Sequence, residues 1–368
     1  MPSNNLRVLL VSDMSKVGGT EVATYISAKQ LVNQVPYVGV FGKSGPFSKE
    51  VEALGVENFD AEAHTKNPLA IMNYVKKLCQ VIKDKDINVI HAQMARPVPL
   101  IWLAKTLTGR KGLKIFWTSR GLDHETYGRI VPMFNKMGVR GIGNCKMEQQ
   151  KLIRYGYEPA NTDYVYNAYR LNPETAVREK PATPPFVIGT LSSLRPVRRV
   201  DLFIEMAKEL VKHPVYGHQV KFLIGGSGSE MSALQELVKT YQLEDKVTFF
   251  GNVSDVEAFM QQVHVYVSPL VIEGDGGAGL SNSIIEAMVT KTPVCSYEAI
   301  AHGEIVIDGE TGFLIEANNN QALVNAVIET LDNPAATTKR VENAYANIIE
   351  QCDPDSFSKK LISLYEQM

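Results

Sequence analysis

Glycines and acidic residues are concentrated in one short stretch, EGDGGAGLSNSIIEAM at residues 273–288. It follows the apolar segment VHVYVSP and ends in the pattern of an amphipathic helix. The glycines within 276–279 leave backbone N–H groups unobstructed at the start of that helix, where the helix dipole favours an anion. Glu286 could accept hydrogen bonds from ribose hydroxyls, so a nucleotide diphosphate would satisfy both features. For Glu286 taken alone, a capping box with Ser283 is the preferred interpretation.

A second candidate group is basic. The segment LSSLRPVRRVD at 191–201 places three arginines directly after a predicted strand and ahead of a helix. Guanidinium groups bind phosphate oxygens in pairs, so Arg195 and Arg198 could clamp a diphosphate. A solvated basic turn is the alternative, and we prefer it for Arg199.

Two further glycine loops each connect a predicted strand with a helix. Gly18 and Gly19 follow the first strand, and Gly226 lies in IGGSGSE at 224–230. Both loops could bring backbone N–H groups close to an anion, and a tight turn explains both equally well. The GxGxxG spacing of dinucleotide-binding proteins is absent after the first strand, which argues against NAD.

Strands and helices must position these residues, and short β-branched runs alternate with segments of helical period along the whole chain. This pattern predicts parallel sheets covered by helices. We predict strands at 7–11, 37–41, 88–92, 114–118, 163–167, 187–191, 220–224, 246–250, 263–267 and 293–297. We predict helices at 20–33, 68–84, 96–108, 145–155, 199–212, 230–241, 281–290 and 320–332.

Residues 170–186 contain four prolines and scattered charges, which mark a linker. The predicted fold is therefore α/β, with a Rossmann-like domain at 1–170 and a second at 171–352. A helix at 353–368 is expected to pack back on the first domain. Ligands of open parallel sheets bind outside the carboxyl ends of the strands, so we expect a cleft between two facing domains.

The composition excludes several classes of protein. With 368 residues, 45% apolar and 21% charged, and a net charge of −2, the chain is typical of globular proteins, not of disordered or nucleic-acid-binding ones. Its four cysteines are far apart, so neither a zinc site nor a disulfide framework is indicated. The chain has no apolar stretch long enough for a signal peptide or a membrane span, and we expect a cytoplasmic protein.

Nine segments, in order along almost the whole chain, resemble one family: the retaining glycosyltransferases of family four. These enzymes have two Rossmann domains in the GT-B fold and use nucleotide-activated sugars. The segments are VGGTEVATY (17–25), VIHAQMARP (89–97), TSRG (118–121), YVYNA (164–168), SLRPVRRVDLFIE (193–205), LIGGSGSE (223–230), VTFFGNV (247–253), the 273–288 stretch and HGEIVIDGETGFLI (302–315).

The resemblance implies roles for particular residues. Arg195 and Arg198, the latter where the family usually has lysine, would neutralise the donor diphosphate. Glu286 would hold the ribose, and Asn167 would have a hinge or structural role. The residues implied to bind the donor are Gly18, Gly19, Gly226, Asp275, Gly279, Leu280, Ser281 and Glu286.

The sequence also departs from the family pattern. The family has two glutamates separated by seven residues, but Ala278 stands where the first should be. We expect an acid of the longer loop, Glu273 or Asp275, to replace it. Arg120 stands where the family usually has histidine, and Ser193 where arginine is common. The predicted catalytic residues are Arg195, Arg198, Glu273 and Arg120.

The expected activity is transfer of a sugar, with retention of configuration, from a UDP- or GDP-linked donor to a glycan or lipid-linked acceptor in cell-envelope polysaccharide synthesis. Arginines and N–H groups would stabilise the leaving diphosphate, and we expect neither a metal nor a cofactor. One alternative is a nucleotide-sugar epimerase of similar fold. Another is a non-catalytic module that binds a nucleotide sugar or a partner glycosyltransferase.

Residues 91–120 contain six basic residues and no acidic one. We expect the part from 96 to 120 to contact an anionic membrane surface on the inner face of the cytoplasmic membrane, where each basic residue contributes about 1 kcal/mol. A solvated helix face is the alternative.

Overall fold

The computed structural model describes residues 5–15, 18–62, 67–122, 124–177, 180, 182–272, 279–299 and 301–367. The chain divides into two compact units. The first consists of Met1–Ala168 with Pro354–Met368, and the second of Tyr169–Asp353. Each unit is built around its own parallel sheet.

The sheet of the first unit has, in the described ranges, seven parallel strands in the order β3-β2-β1-β4-β5-β6-β7. The strands are β1 (Arg7–Val11), β2 (Tyr37–Gly42), β3 (Glu57–Asp60), β4 (Val89–Ala92), β5 (Lys114–Ser119), β6 (Arg140–Gly143) and β7 (Thr162–Tyr164). The helices are α1 (Gly19–Leu31), α2 (Pro46–Ala53), α3 (Pro68–Asp84), α4 (Val98–Thr108), α5 (His124–Lys136), α6 (Lys146–Arg154) and, from the end of the chain, α14 (Pro354–Glu366).

Both faces of this sheet are covered, which is why its central strands read as unbroken apolar runs. Successive side chains of a strand point to opposite faces. Accordingly Leu9 packs in the core on one face, and Leu10 in the core on the other. The second of these cores includes Leu361 and Leu364 of α14.

The second unit has, among its described residues, six parallel strands in the order β10-β9-β8-β11-β12-β13. The strands are β8 (Phe186–Leu191), β9 (Val220–Gly225), β10 (Val247–Gly251), β11 (Val265–Ser268), β12 (Val294–Tyr297) and β13 (Phe313–Ile315). The helices are α7 (Pro173–Ala176), α8 (Val200–Leu210), α9 (Met231–Thr240), α10 (Val256–Gln262), α11 (Asn282–Val289), α12 (Asn320–Asp332) and α13 (Pro334–Gln351).

In this second sheet β8 lies between β9 and β11, so the direction of winding reverses between β8 and β11. Open α/β sheets bind ligands outside the carboxyl ends of their strands at such a reversal. The arginine segment follows β8 and the glycine-rich stretch follows β11. The topology therefore brings the arginine segment and the described part of the glycine-rich stretch, from Gly279 onward, to one edge of the sheet.

The structure adds elements that were not predicted from the sequence: β3, β6, β13, α2, α5, α7, α10 and α13. The last predicted strand of the first half, 163–167, is shorter and earlier, at Thr162–Tyr164. None of the helices in the described ranges is both long and apolar enough to cross a bilayer.

Candidate functional site

The loops that follow β8 and β9 are bonded to each other through their backbones. Ser192 N donates to Gly225 O at 3.0 Å, and Leu194 N donates to Ser227 O at 2.9 Å. Gly226 has a φ of +123°, and a Cβ there would lie 1.8 Å from Ser192 O. Its own N–H donates to the carbonyl oxygen of Gly251. Backbone packing thus explains Gly226 without a ligand, and a donor contact by this residue stays a prediction.

This loop pair holds the arginine segment at the end of β8. Arg195 is exposed, with its Nε 3.3 Å from Ser193 Oγ. The Arg198 guanidinium is largely buried, and its Nε has no hydrogen-bond acceptor among the described residues. Burial lowers the pKa of Arg198, and the nearby charge of Arg195 lowers it further. Arg199 differs, because it forms an ion pair with Asp201 at 3.0 Å. Two neighbouring cations, one of them buried with an unused donor, form a site that favours an anion.

The start of α11 is tied to the same strand ends. The hydroxyl of Tyr266, on β11, lies 2.7 Å from Ser283 Oγ and 3.3 Å from the carbonyl oxygen of Leu191. Burial raises the pKa of Tyr266 to about 12, so its hydroxyl stays protonated. Ser281 precedes the first residue of α11 but makes no side-chain capping bond; its hydroxyl lies 3.0 Å from Ser283 Oγ. Gly279 and Leu280 lead into this helix end.

The structure rules out one of the two interpretations of Glu286, the capping box with Ser283. Ser283 is the second residue of α11, so it does not stand at the capping position. The capping-box interpretation is therefore wrong. The Glu286 carboxylate is instead buried, with Oε1 accepting a hydrogen bond of 2.8 Å from Arg170 Nε. Burial raises the pKa of this carboxyl, and the Arg170 charge opposes the shift.

His302 is a further buried polar residue that the sequence analysis did not single out. Its Nδ1 lies 2.7 Å from Ser296 Oγ and 3.3 Å from Tyr297 O. Because a carbonyl oxygen only accepts, Nδ1 carries the hydrogen. Nε2 is then an acceptor, and it has no partner in the described ranges. Burial lowers the pKa of His302 to about 4, and the charge of nearby Arg198 contributes to the shift.

In the first unit, Arg120 is held between two amide side chains. Its NH1 lies 2.6 Å from Asn167 Oδ1, and its NH2 lies 2.8 Å from Gln93 Oε1. These three residues follow β5, β7 and β4, so the guanidinium ties three strand ends together. Burial lowers the pKa of Arg120 to about 10. A catalytic role for Arg120 stays a prediction.

Gly18 and Gly19 lie where the sequence analysis places them, at the beginning of α1. Gly18 has extended backbone and precedes the helix, and Gly19 is its first residue. The first N–H groups of a helix lack acceptors within the helix, so this end could receive an anion.

The predicted loop acids Glu273 and Asp275, together with Ala278, lie outside the described residues. In the ranges that are described, no group of three histidine, cysteine, aspartate or glutamate residues could hold a metal ion.

The predicted membrane-contacting stretch, 96–120, does not form one surface. Lys114 Nζ donates to the carbonyl oxygen of Tyr365 at 2.6 Å, and β5 is buried beyond its first residue. Arg120 is enclosed as described above. Among the residues that the stretch exposes are Trp102, Leu103 and Leu107, which form an apolar face of α4.

Residues 185–333 match the family described as glycosyl transferases group 1. An uncharacterised glycosyltransferase of Haemophilus influenzae is 31% identical over 339 residues, covering 88% of this chain and 90% of that protein. The poly(ribitol-phosphate) alpha-N-acetylglucosaminyltransferase of Staphylococcus aureus is 29% identical over 181 residues, covering 49% of this chain. The same alignment spans only 35% of the length of that relative.

Among solved structures, that of Anabaena HepE with UDP and glucose superimposes with a TM-score of 0.83. The match covers 99% of this chain and 100% of that one, at 20% identity. This likeness concerns the fold, and it confirms the predicted α/β class with two Rossmann-like units.

Proposed function

Since the chain belongs to the glycosyltransferase family represented by its Haemophilus influenzae relative and has the GT-B fold, we propose that it transfers a sugar from a nucleotide-diphosphate donor to a glycan or lipid-linked acceptor. The Staphylococcus aureus relative is named for a poly(ribitol-phosphate) acceptor, which supports a polymer as acceptor here. The UDP in the Anabaena structure supports a uridine nucleotide as donor.

The observation that carries this proposal is the Arg198 guanidinium, buried with an unused donor where β8 ends. A diphosphate would supply the missing acceptor and the negative charge that Arg195 and Arg198 together favour. The first turn of α11, whose N–H groups Ser281 does not cap through its side chain, would add donors from the other side of the winding reversal.

Two further residues fit the remaining parts of a nucleotide sugar. Glu286 would accept hydrogen bonds from the ribose hydroxyls. The Nε2 atom of His302 is a buried acceptor near Arg198, and a hydroxyl of the donor sugar would donate a hydrogen bond to it. The proposed donor site of this unit thus consists of Arg195, Arg198, Gly279, Leu280, Ser281, Glu286 and His302.

We propose that the reaction follows the retaining, metal-independent course of family four. The bond from the anomeric carbon to the diphosphate oxygen breaks, and the acceptor hydroxyl oxygen bonds to the same face of the sugar. The acceptor proton leaves with the diphosphate. Arg195 and Arg198 would stabilise the charge that develops on the leaving oxygen, the task a metal performs in other transferases.

We also propose that the protein rests on a membrane through α4, not through the whole of 96–120. Trp102, Leu103 and Leu107 are 38%, 40% and 63% exposed on one side of this helix. Lys105 lies on the same helix, and Lys111 follows it within a few residues. Exposed apolar side chains next to basic ones are typical of helices that contact anionic lipid.

Binding and turnover measurements test the proposed activity. Thermal shift with UDP, GDP and ADP should show a raised melting temperature for one of them, because a ligand that binds only the folded state stabilises it. Release of that nucleotide from its sugar conjugate should then depend on an added glycan or lipid-linked acceptor. An epimerase would instead release a second nucleotide sugar without acceptor, and a binding module would bind without turnover. The comparisons favour neither of these.

A further inference from the structure

Arg170 is the ionic partner of Glu286, and nothing in the sequence pattern pointed to it. Its Nε donates to Glu286 Oε1 at 2.8 Å, and the two side chains are 20% and 7% exposed. Arg170 lies in the predicted linker, 116 residues before the glutamate. A residue from the beginning of the second unit therefore reaches the middle of α11.

The pair matters because burial disfavours the ionised form of a carboxyl group unless a cation or several hydrogen-bond donors lie beside it. Burial raises the pKa of Glu286, and Arg170 opposes that shift by its charge and by its hydrogen bond. Arginine also fixes direction, since its planar guanidinium holds a carboxylate in one orientation. Arg170 thus acts on both the ionisation and the orientation of Glu286.

We propose that Arg170 is a positioning residue for nucleotide binding: by holding Oε1 of Glu286, it presents Oε2 to the ribose hydroxyls of the donor. This inference rests on the proposed function, in which Glu286 binds the ribose. It assigns Arg170 no contact with the reacting atoms.

The other charged and titratable groups around α11 do not replace Arg170. Tyr266 of β11 is close enough for the Glu286 carboxylate to raise its pKa, but it remains a neutral hydroxyl. On α13, which also packs on α11, Glu342 is paired with Lys291 at 2.7 Å. Within the described part of the chain, Arg170 is the charged group that shifts the pKa of Glu286.

Calorimetric titration with UDP and with 2′-deoxy-UDP tests the inference, using Arg170→Gln, Arg170→Lys, Glu286→Gln and the double variant Arg170→Gln/Glu286→Gln. We expect Arg170→Gln to weaken UDP binding by about tenfold to a hundredfold at neutral pH, the usual effect of losing a hydrogen bond to a charged group. Arg170→Lys should recover part of the loss. The preference for UDP over 2′-deoxy-UDP should shrink in Arg170→Gln, and the double variant should bind no more weakly than Glu286→Gln.

A pH series separates positioning from general structural support. Ribose binding needs the carboxylate form of Glu286, so affinity falls as the pH drops towards the pKa of that group. Without Arg170 this pKa is higher, so in binding measurements made from about pH 8 down to about pH 5.5 the fall should begin at a higher pH than in the wild type. Arg140→Gln is the matched control, because Arg140 forms a partly buried pair of equal length, 2.8 Å, with Asp163 in the first unit. It should leave UDP binding and its pH profile unchanged.

The inference is overturned if Arg170→Gln binds UDP within about twofold of the wild type across that pH range while Glu286→Gln does not. Should Arg170→Gln fail to fold, Arg170→Met, which keeps the length of the side chain but not its charge, decides in the same way. Failure of the wild type to bind UDP, GDP or ADP at all would instead refute the proposed function, and this inference with it.

Discussion

The guanidinium of Arg120 lies 2.6 Å from the amide oxygen of Asn167, across the carboxyl ends of β5 and β7. Arg120→Ala would remove this bond and would leave the amide oxygen of Gln93 buried without the donor it now has. We expect the free energy of unfolding to fall by about 2 to 4 kcal/mol in urea denaturation. Arg110→Ala, which removes an ion pair with mostly exposed Asp86, should change it by less than about 1 kcal/mol. An Arg120→Ala protein of unchanged stability but without activity would favour the catalytic role.

Arg198 should be essential for turnover, whereas its neighbour Arg199 should not. Removing a preorganised cation that faces a developing negative charge costs about a hundredfold to a thousandfold in rate, and we expect this loss in kcat/KM for Arg198→Ala. Arg198→Lys keeps the charge and should lose much less. Arg199→Lys serves as the control, because that side chain is paired with Asp201. Wild-type kcat/KM in Arg198→Ala would contradict the proposed donor site.

Gly226 should tolerate no side chain. A Cβ there would lie 1.8 Å from Ser192 O, on backbone that also has a positive φ. We expect Gly226→Ala to lower the free energy of unfolding by about 2 to 4 kcal/mol and to weaken UDP binding, since the loop that carries the arginines must move. At Gly112 an added Cβ meets nothing within 4 Å, so Gly112→Ala should change stability by less than about 0.5 kcal/mol. Equal effects of the two substitutions would refute this account.

Two buried histidines should make folding stability fall in mild acid. Burial lowers the pKa of His91 to about 3 and that of His302 to about 4, from an ordinary value of 6.5. Between each lowered pKa and 6.5, the histidine binds a proton in the unfolded chain but not in the folded protein. The free energy of unfolding is therefore unaffected by these groups above about pH 6.5 and falls as the pH drops below it. At pH 5 each histidine should cost about 2 kcal/mol.

This dependence can be assigned to one histidine by substitution. In urea denaturation at pH 7 and pH 5, His91→Gln should show a smaller loss of stability than the wild type, by about 2 kcal/mol. Exposed His218→Gln should show the same loss as the wild type. An undiminished loss in His91→Gln would mean that other groups cause the acid sensitivity.

The exposed face of α4 should decide membrane binding. In flotation with anionic vesicles at low salt, we expect the wild type to rise with the lipid, and Leu103→Ser/Leu107→Ser to bind at least about tenfold more weakly, because apolar burial drives insertion. Val215 is similarly exposed, at 51%, but lies in the second unit, so Val215→Ser should bind like the wild type. Equal flotation of all three proteins, or no flotation of any, would contradict the proposed surface.

The central strands and most helices could be predicted from sequence because their apolar patterning is strong. The strands that were not predicted have weaker apolar patterns in their sequences. β3 reads ENFD and has no fully buried residue, whereas β6 reads RGIG and consists half of glycine. Each is extended because a neighbouring strand pairs with it, which is a tertiary effect that overrides local propensity.

In the candidate site, the groups that lie directly after strands, such as Arg198, could be predicted from the sequence, and so could Glu286 on the following helix. Arg170 could not be predicted, because an ion pair that begins in a linker leaves no local sequence pattern. His302 lies in a segment that resembles the family, but its significance depends on burial and on the carbonyl oxygen of Tyr297, which fixes its hydrogen.

The position of α14 determines when the core of the first unit can be completed during synthesis. Its Tyr365 hydroxyl lies 2.6 Å from Nδ1 of His91, and Leu361 and Leu364 help to fill the core beside β1. On the ribosome the N-terminal half emerges first, yet this part of its core is supplied by residues translated after the entire second unit. Until α14 has been translated, the nascent first unit therefore has an uncovered apolar surface. A chaperone that recognises such surfaces could bind it during that period.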